Sequence, residues 1–250
     1  MSYDTTLPIQ MFIGYDPDEH RAYEVCESSI KHPPVIRDIN PWARSIFDDS
    51  SVVVKRLYTK DIPGWYRERE EHQSTDFTYT RFLAPYLCGY KGVSIFCDCD
   101  FVFLADPQEL VDKYFDSKYA VQVVQHPAYV PKSQIKMDGR TQHTMPKKNW
   151  ASLIMFNNEH PKNKQLTFDY VNSHMPGRDL HQFKWLDDED IGALPLEWNC
   201  LDGYYLMENP KAIHYTDGGP WFEHYKDTMY SDRWYEAERV MKSKKATNEI

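Results

Sequence analysis

The segment Val93-Ser94-Ile95-Phe96-Cys97 is apolar but for one serine. It is closed at once by Asp98-Cys99-Asp100, and Phe101-Val102-Phe103-Leu104 then resumes the apolar pattern. A short run of this kind, bounded by turn residues, reads as a strand buried on both faces. Such strands occur where helices cover a sheet from either side, so this one feature commits the chain to a layered α/β fold. It also puts two carboxylates at the strand's carboxyl end, where α/β sheets bind their ligands. In extended chain residues i and i+2 point the same way, which predicts Asp98 and Asp100 on one side and Cys97 and Cys99 on the other. Two like charges held this close are costly unless a cation lies between them. Carboxylate oxygens select hard divalent ions, Mg²⁺ or Mn²⁺. Aspartates also end strands as simple turn formers, but after so apolar a strand the pair reads as a metal site.

The flanking sequence supplies the alternating elements that such a sheet needs. Ile9 to Tyr15 reads as a buried strand, and Asp16-Pro17 as the cap and first turn of a helix carrying Ala22, Val25, Cys26 and Ile30. Ser51 to Val54 begins a second strand. Residues 77–90 read as an amphipathic helix with Tyr79, Phe82, Leu83, Tyr86 and Leu87 on one stripe, kinked or cut short by Pro85. Asp106-Pro107 caps a helix over 107–115. Further strands are expected at 120–124, 151–156 and 212–215, and a last helix over 231–242, capped by Ser231. With no internal repeat and no marked boundary, this order predicts one three-layer α/β/α domain with a mostly parallel, mixed sheet. Its nucleotide-binding, Rossmann-like half would span about 1–125 and its acceptor half about 126–250. One polar excursion, residues 126–150, gathers His126, Lys132, Lys136, Arg140, His143, Lys147 and Lys148, a basic island that reads either as a binding loop or as plain surface.

The chain of 250 residues carries a net charge of −9, which argues against a nucleic-acid binder. Cys26, Cys88, Cys97, Cys99 and Cys200 form no CxxC pair and are odd in number, against a disulfide scaffold or a zinc site. No secretory leader or membrane-length apolar stretch is evident, so the expectation is a soluble, cytoplasmic protein.

Thr80-Arg81-Phe82-Leu83, then Ser94-Ile95-Phe96-Cys97-Asp98-Cys99-Asp100, then Asp106-Pro107-Gln108-Glu109-Leu110 resemble, in order, the core of glycosyltransferase family eight. The resemblance runs from Phe12 to about Trp221. It implies a GT-A fold, a divalent metal held by the Asp-x-Asp motif, a nucleotide-sugar donor (a UDP-sugar foremost) and retention of anomeric configuration. Gly14-Tyr15-Asp16 resembles the family's first loop beside base and ribose. Those three residues are therefore expected at the donor, with Asp16 also serving as helix cap. His214 stands where the family has its third metal ligand, and an imidazole beside two carboxylates favours Mn²⁺. Arg81 lies off the apolar stripe of its helix and is expected either to reach the donor or to be solvated. The segment Thr216-Asp217-Gly218-Gly219-Pro220-Trp221 stands where the family carries a lysine before Pro-Trp, and that phosphate-contacting lysine is Gly219 here. Either the Gly218 and Gly219 amides face the phosphate, or Lys226 or the basic island supplies the charge.

Leu186-Asp187-Asp188-Glu189-Asp190-Ile191 resembles the family's Asp-Gln-Asp segment beside the reacting carbon. This makes Asp188 and Glu189 candidate catalytic residues, the alternative being the acidic first turn of a short helix. Trp198-Asn199 also matches a family pair, whereas Trp150-Ala151-Ser152 stands where Asn-Ala-Gly is usual.

The expected activity is metal-dependent transfer of a hexose from a nucleotide-sugar to a carbohydrate or glycoconjugate acceptor. If Glu189 acted as a base instead, the outcome would be inversion. Two other classes stand beside this one. A metal-dependent nucleotidyltransferase usually carries a glycine-rich phosphate loop near its N-terminus, which Phe12 to Asp16 does not offer. A non-catalytic nucleotide- or sugar-binding protein is favoured by Gly219 and opposed by the intact Asp98, Asp100 and His214.

Overall fold

A computed structural model describes residues 7–33, 52–70, 73–127 and 147–248. Its central sheet has six strands: β1 (Ile9–Gly14), β2 (Val52–Leu57), β3 (Val93–Cys97), β5 (Val121–Val124), β6 (Leu153–Asn157) and β7 (Ile191–Leu194). They lie in the order β2-β1-β3-β6-β5-β7. Only β6 is reversed: it pairs antiparallel with β3 and β5, while β1 with β2, β1 with β3 and β5 with β7 are parallel. A three-stranded sheet of β4 (Phe101–Phe103), β8 (Cys200–Leu201) and β9 (Ala212–His214) stands beside it.

Alternate residues of β3 show what covers each face. Cys97 meets Cys26 of α1 (His20–Lys31), Sγ to Sγ 4.0 Å. Phe96 points the opposite way, toward Phe77, with ring centroids 6.2 Å apart. The five residues of β3 are all buried, as its apolar run requires. On the Phe96 face lie a 3₁₀ turn (Thr80–Leu83) running into α2 (Ala84–Leu87), and α4 (Gly177–His181). Phe82 meets the rings of Phe183 and Trp185 edge to face, and those two pack against each other at a tilt. On the other face, α1 is backed by α5 (Ser231–Asn248), to which Arg21 bonds through Glu238 at 2.7 Å and stacks on Trp234. The molecule is thus the three-layer α/β domain with a mostly parallel, mixed sheet that the sequence predicts.

Differences are local. The expected helix over 77–90 is instead a turn, a 3₁₀ segment and one short α-turn, with Pro85 in the first turn of α2, where its missing N–H costs nothing. Helix α3 (Pro107–Tyr114) starts where Asp106 accepts the Gln108 amide at 2.8 Å. The last helix runs six residues beyond the predicted 242. Strands β7 and β8 were not foreseen. Among the described residues no helix is long and apolar enough to cross a membrane, and all five cysteines are free thiols.

Candidate metal and donor site

Asp98 and Asp100 occupy the turn between β3 and β4 rather than extended chain, so it is the turn and the second sheet that bring the carboxylates together. Phe101 of β4 pairs with His214 of β9, and the Tyr215 N–H is donated to the Asp100 carbonyl at 3.0 Å. The His214 ring lies flat on Phe101, centroids 4.4 Å apart. One ligand atom from each of Asp98, Asp100 and His214 falls within 4.8 Å of the others. His214 Nε2 is 3.3 Å from Asp100 Oδ2.

The donor set fits a divalent cation. Asp98 Oδ1 and Asp100 Oδ1 are buried and receive no aligned hydrogen bond. Arg81 Nη1, which carries two N–H groups, donates to the Ala151 carbonyl at 2.7 Å and forms an ion pair with Asp98 Oδ1 at 2.8 Å. Burial, then the neighbouring Asp100 charge, pushes the Asp98 carboxyl up to about 7, and Arg81 only partly offsets this. Burial likewise lowers the Arg81 guanidinium from its ordinary value, with Asp98 and Asp100 opposing. Desolvated, crowded carboxylates of this kind suit a divalent cation.

Arg81 is 5 % exposed and flanked by Phe77 and Phe96 at 5.3 and 4.9 Å, so it acts on Asp98 rather than standing solvated. Asp16, also buried, accepts the amides of Asp18 and Asp76, both at 3.0 Å, so its cap role is visible and each oxygen already has a donor. Tyr15 turns its ring edge to Tyr23 and Tyr58, with Arg56 above it at 4.9 Å. Gly14 is required by packing, since a Cβ there would stand 2.4 Å from the Phe77 ring. The Gly218 amide is donated to the Tyr215 carbonyl at 2.8 Å, and Gly218 has φ 115°, a conformation that favours glycine. At Gly219 a Cβ would come within 2.1 Å of the Trp221 ring, so this loop has no room for a lysine at that position.

The acidic segment divides by partner. Lys162 holds Asp187 and Asp190 at 2.6 and 2.5 Å, and Lys147 holds Asp188 at 2.7 Å. Glu189 is exposed. Register places residues 188–190 at the start of β7, beside Ala120, whereas the triad lies at the edge where β7 ends with Leu194. The length of β7, roughly 10 Å, separates the two edges, and Lys147 links Asp188 back to the segment that enters β6. Of the expected cations, Lys226 is paired with Glu223 at 2.9 Å and exposed. Lys132, Lys136, Arg140 and His143 lie outside the described residues.

Three groups at the site were given no role there by sequence reasoning. Glu19 lies among Asp16, Asp98 and Asp100 and accepts from Cys99 Sγ at 3.2 Å; burial first, then Asp100, pushes its carboxyl up to about 8. The signal was its place just past the end of β1, the strand adjoining β3. Asn199 accepts from His214 Nδ1 at 3.0 Å and donates to Ser152 Oγ at 2.9 Å. His126, noted only as part of the basic island, stacks on Tyr205 with rings 9° apart. Burial, then His214, lowers its imidazole to about 4, so it is neutral rather than basic.

No family model matches the chain. Solved structures similar to it include the bifunctional glycosyltransferase WbbM, at 18% identity and TM-score 0.58, covering 95% of this chain and 50% of that one. Another is the galactosyltransferase LgtC in complex with donor and acceptor sugar analogs, at 13% and 0.55, covering 94% and 96%. The glycosyltransferase GlyE of Streptococcus pneumoniae TIGR4 matches at 12% and 0.55, covering 96% and 64%. The chain thus spans half the length of the WbbM structure and under two thirds of GlyE. At these identities the likeness establishes the fold, which is that of the GT-A glycosyltransferases, as the resemblance to family eight implied. At the level of sequence, the Arabidopsis thaliana protein named Protein CDI is 44% identical over 234 residues, covering 91% of this chain and 85% of the relative. The chain belongs to the family of Protein CDI.

Proposed function

We propose that the chain is a metal-dependent glycosyltransferase that takes a hexose from a nucleoside-diphosphate sugar, a UDP-sugar foremost, and passes it to a carbohydrate or glycoconjugate. The observation that carries this reading is the convergence of Asp98, Asp100 and His214 at the ligand edge of a GT-A sheet, with Asp100 Oδ1 buried and without a hydrogen-bond partner. A divalent ion held by these three, Mn²⁺ in preference to Mg²⁺ because of the imidazole, would neutralise charge on the diphosphate leaving group. Arg81 holds Asp98 in place. Asp16 ties the end of β1 to residues 74–78, shaping the niche in which Tyr15, Tyr58 and Arg56 face the donor's base and ribose. The sugar's developing positive charge calls for a carboxylate beside it, and Asp188 or Glu189 is the proposed source, the Lys147 bond to Asp188 tying that segment back toward the ligand edge, with retention as the outcome.

The first test is thermal stabilisation by a panel of nucleoside diphosphates with and without Mn²⁺. A shift with UDP that requires Mn²⁺ and vanishes in Asp100→Asn is expected. Loss of UDP response in the wild type would remove the donor claim. Free sugar released from a UDP-sugar excludes a pure binding protein, and pyrophosphate released from a nucleoside triphosphate would favour a nucleotidyltransferase instead. For Glu189→Gln, slower transfer with nearly unchanged UDP-sugar affinity is expected; wild-type turnover removes Glu189 from the reaction.

A further inference from the structure

We propose that Ser152 and Asn199 form a directional hydrogen-bond relay that fixes His214 with its proton on Nδ1 and its Nε2 bare toward Asp98 and Asp100. The consequence for metal affinity rests on the metal reading above, whereas the tautomer itself does not.

The direction follows from a group that has no choice. The main-chain carbonyl of Asn149 can only accept, and Ser152 Oγ lies 2.7 Å from it, so the serine gives its single proton there. Toward Asn199, 2.9 Å away, Ser152 Oγ is therefore an acceptor, and the atom facing it is the Nδ2 amide. The same Nδ2 stands 3.4 Å from the Asn149 carbonyl, a second partner that only an N–H satisfies. This leaves Asn199 Oδ1 facing His214 Nδ1 at 3.0 Å as an acceptor, so Nδ1 bears the proton. A neutral imidazole has one such proton, and Nε2 is left with a lone pair 3.3 Å from Asp100 Oδ2.

Ser152, Asn199 and His214 are 4 %, 0 % and 2 % exposed, so bulk water is not at hand to exchange these roles. Without the relay, Asp100 would draw the imidazole proton to Nε2 and occupy the lone pair with a hydrogen bond. Asn199 is thus a positioning residue, and Ser152 sets which end of its amide meets the histidine. In metal sites, partners of this second kind fix ring orientation and raise ligand basicity.

The test reads the ring directly. In ¹⁵N-labelled, metal-free protein at alkaline pH, the His214 signal (assigned by its loss in His214→Ala) is expected to show Nδ1–H. In Asn199→Ala it is expected to move toward Nε2–H. Mn²⁺ binding to the protein alone, followed by electron paramagnetic resonance, is expected to weaken about 10- to 100-fold in Asn199→Ala and in the same direction in Ser152→Ala. The smaller Ser152→Ala change carries the test if Asn199→Ala fails to fold. An Nε2–H tautomer in the wild type overturns the relay, as do variants that keep the wild-type tautomer and wild-type Mn²⁺ affinity. A wild type that binds no Mn²⁺ overturns the metal reading alone, and the tautomer still decides the relay.

Discussion

Glu19 holds its carboxyl near Asp16, Asp98 and Asp100, and all three of their charges raise it. Its ordinary value of 4.5 rises to about 8 in the folded chain, chiefly through burial. Between those two values the folded form keeps a proton that the unfolded form has released. The unfolded chain then binds fewer protons, and stability falls as pH rises across that window. Asp98, raised to about 7, adds to the same trend. Metal-free protein is therefore expected to melt at progressively lower temperature from about pH 5 to about pH 8, and Glu19→Gln to flatten that decline. Calorimetry of both proteins across the range checks it; parallel profiles would remove Glu19 as the source. The reason Glu19 escaped sequence reasoning is physical. Asp98, Cys99 and Asp100 are about eighty residues away along the chain, and only the parallel pairing of β1 with β3 brings them to Glu19.

Legibility of the elements tracked how much of each was decided by its own residues. β3 is bounded as read, because five buried positions leave no other register. Asp106 caps α3 through a bond to its own chain two residues on, a purely local event. Asp106→Ala is accordingly expected to cost about 1 kcal/mol of stability by urea titration and to leave Mn²⁺ affinity unchanged, since α3 contributes no ligand. Where tertiary contacts decide, the reading failed. Residues 77–83 have helical spacing, yet Phe77 must face Phe96 while Arg81 turns to Asp98 and Ala151, and tight 3₁₀ geometry meets both demands. β7 went unseen because Gly192 interrupts its pattern. The glycine is there for Tyr119, whose ring would lie 2.4 Å from a Cβ. The candidate grouping of Asp98, Asp100 and His214 was legible from residue type and the resemblance together; Asn199 appeared only as a matching pair, since its hydrogen bonds run to residues 149, 152 and 214.

Two cores share the molecule. The larger lies about the six-stranded sheet, and the smaller joins Val25, Val102, Ile213, Tyr215, Trp234 and Met241 beneath α1. Ile213 and Tyr215 flank His214, so packing of α5 reaches the candidate site through β9. Trp234→Ala is expected to cost about 3–5 kcal/mol in urea unfolding, and Mn²⁺ to restore part of the lost midpoint by binding only the folded form. A variant as stable as wild type would show that the smaller core is not coupled to folding. The net charge of −9 has a matching consequence at long range for the proposed donor: an anionic nucleotide-sugar would approach an acidic molecule, and its attraction would have to come from local positive charge at the ligand edge.

The single reversed strand has a consequence for how such a chain can change. Because β6 runs against its neighbours, β5 ends and β6 begins on the same rim, with Val124 beside Leu194 and Leu153 beside Cys97. The connection between them is therefore anchored at both ends on the ligand edge. It can be lengthened, shortened or exchanged as a cassette while the triad and the strands keep their register. In a family built this way, one connection can diverge in length and composition while the sheet and the cluster of Asp98, Asp100 and His214 are kept.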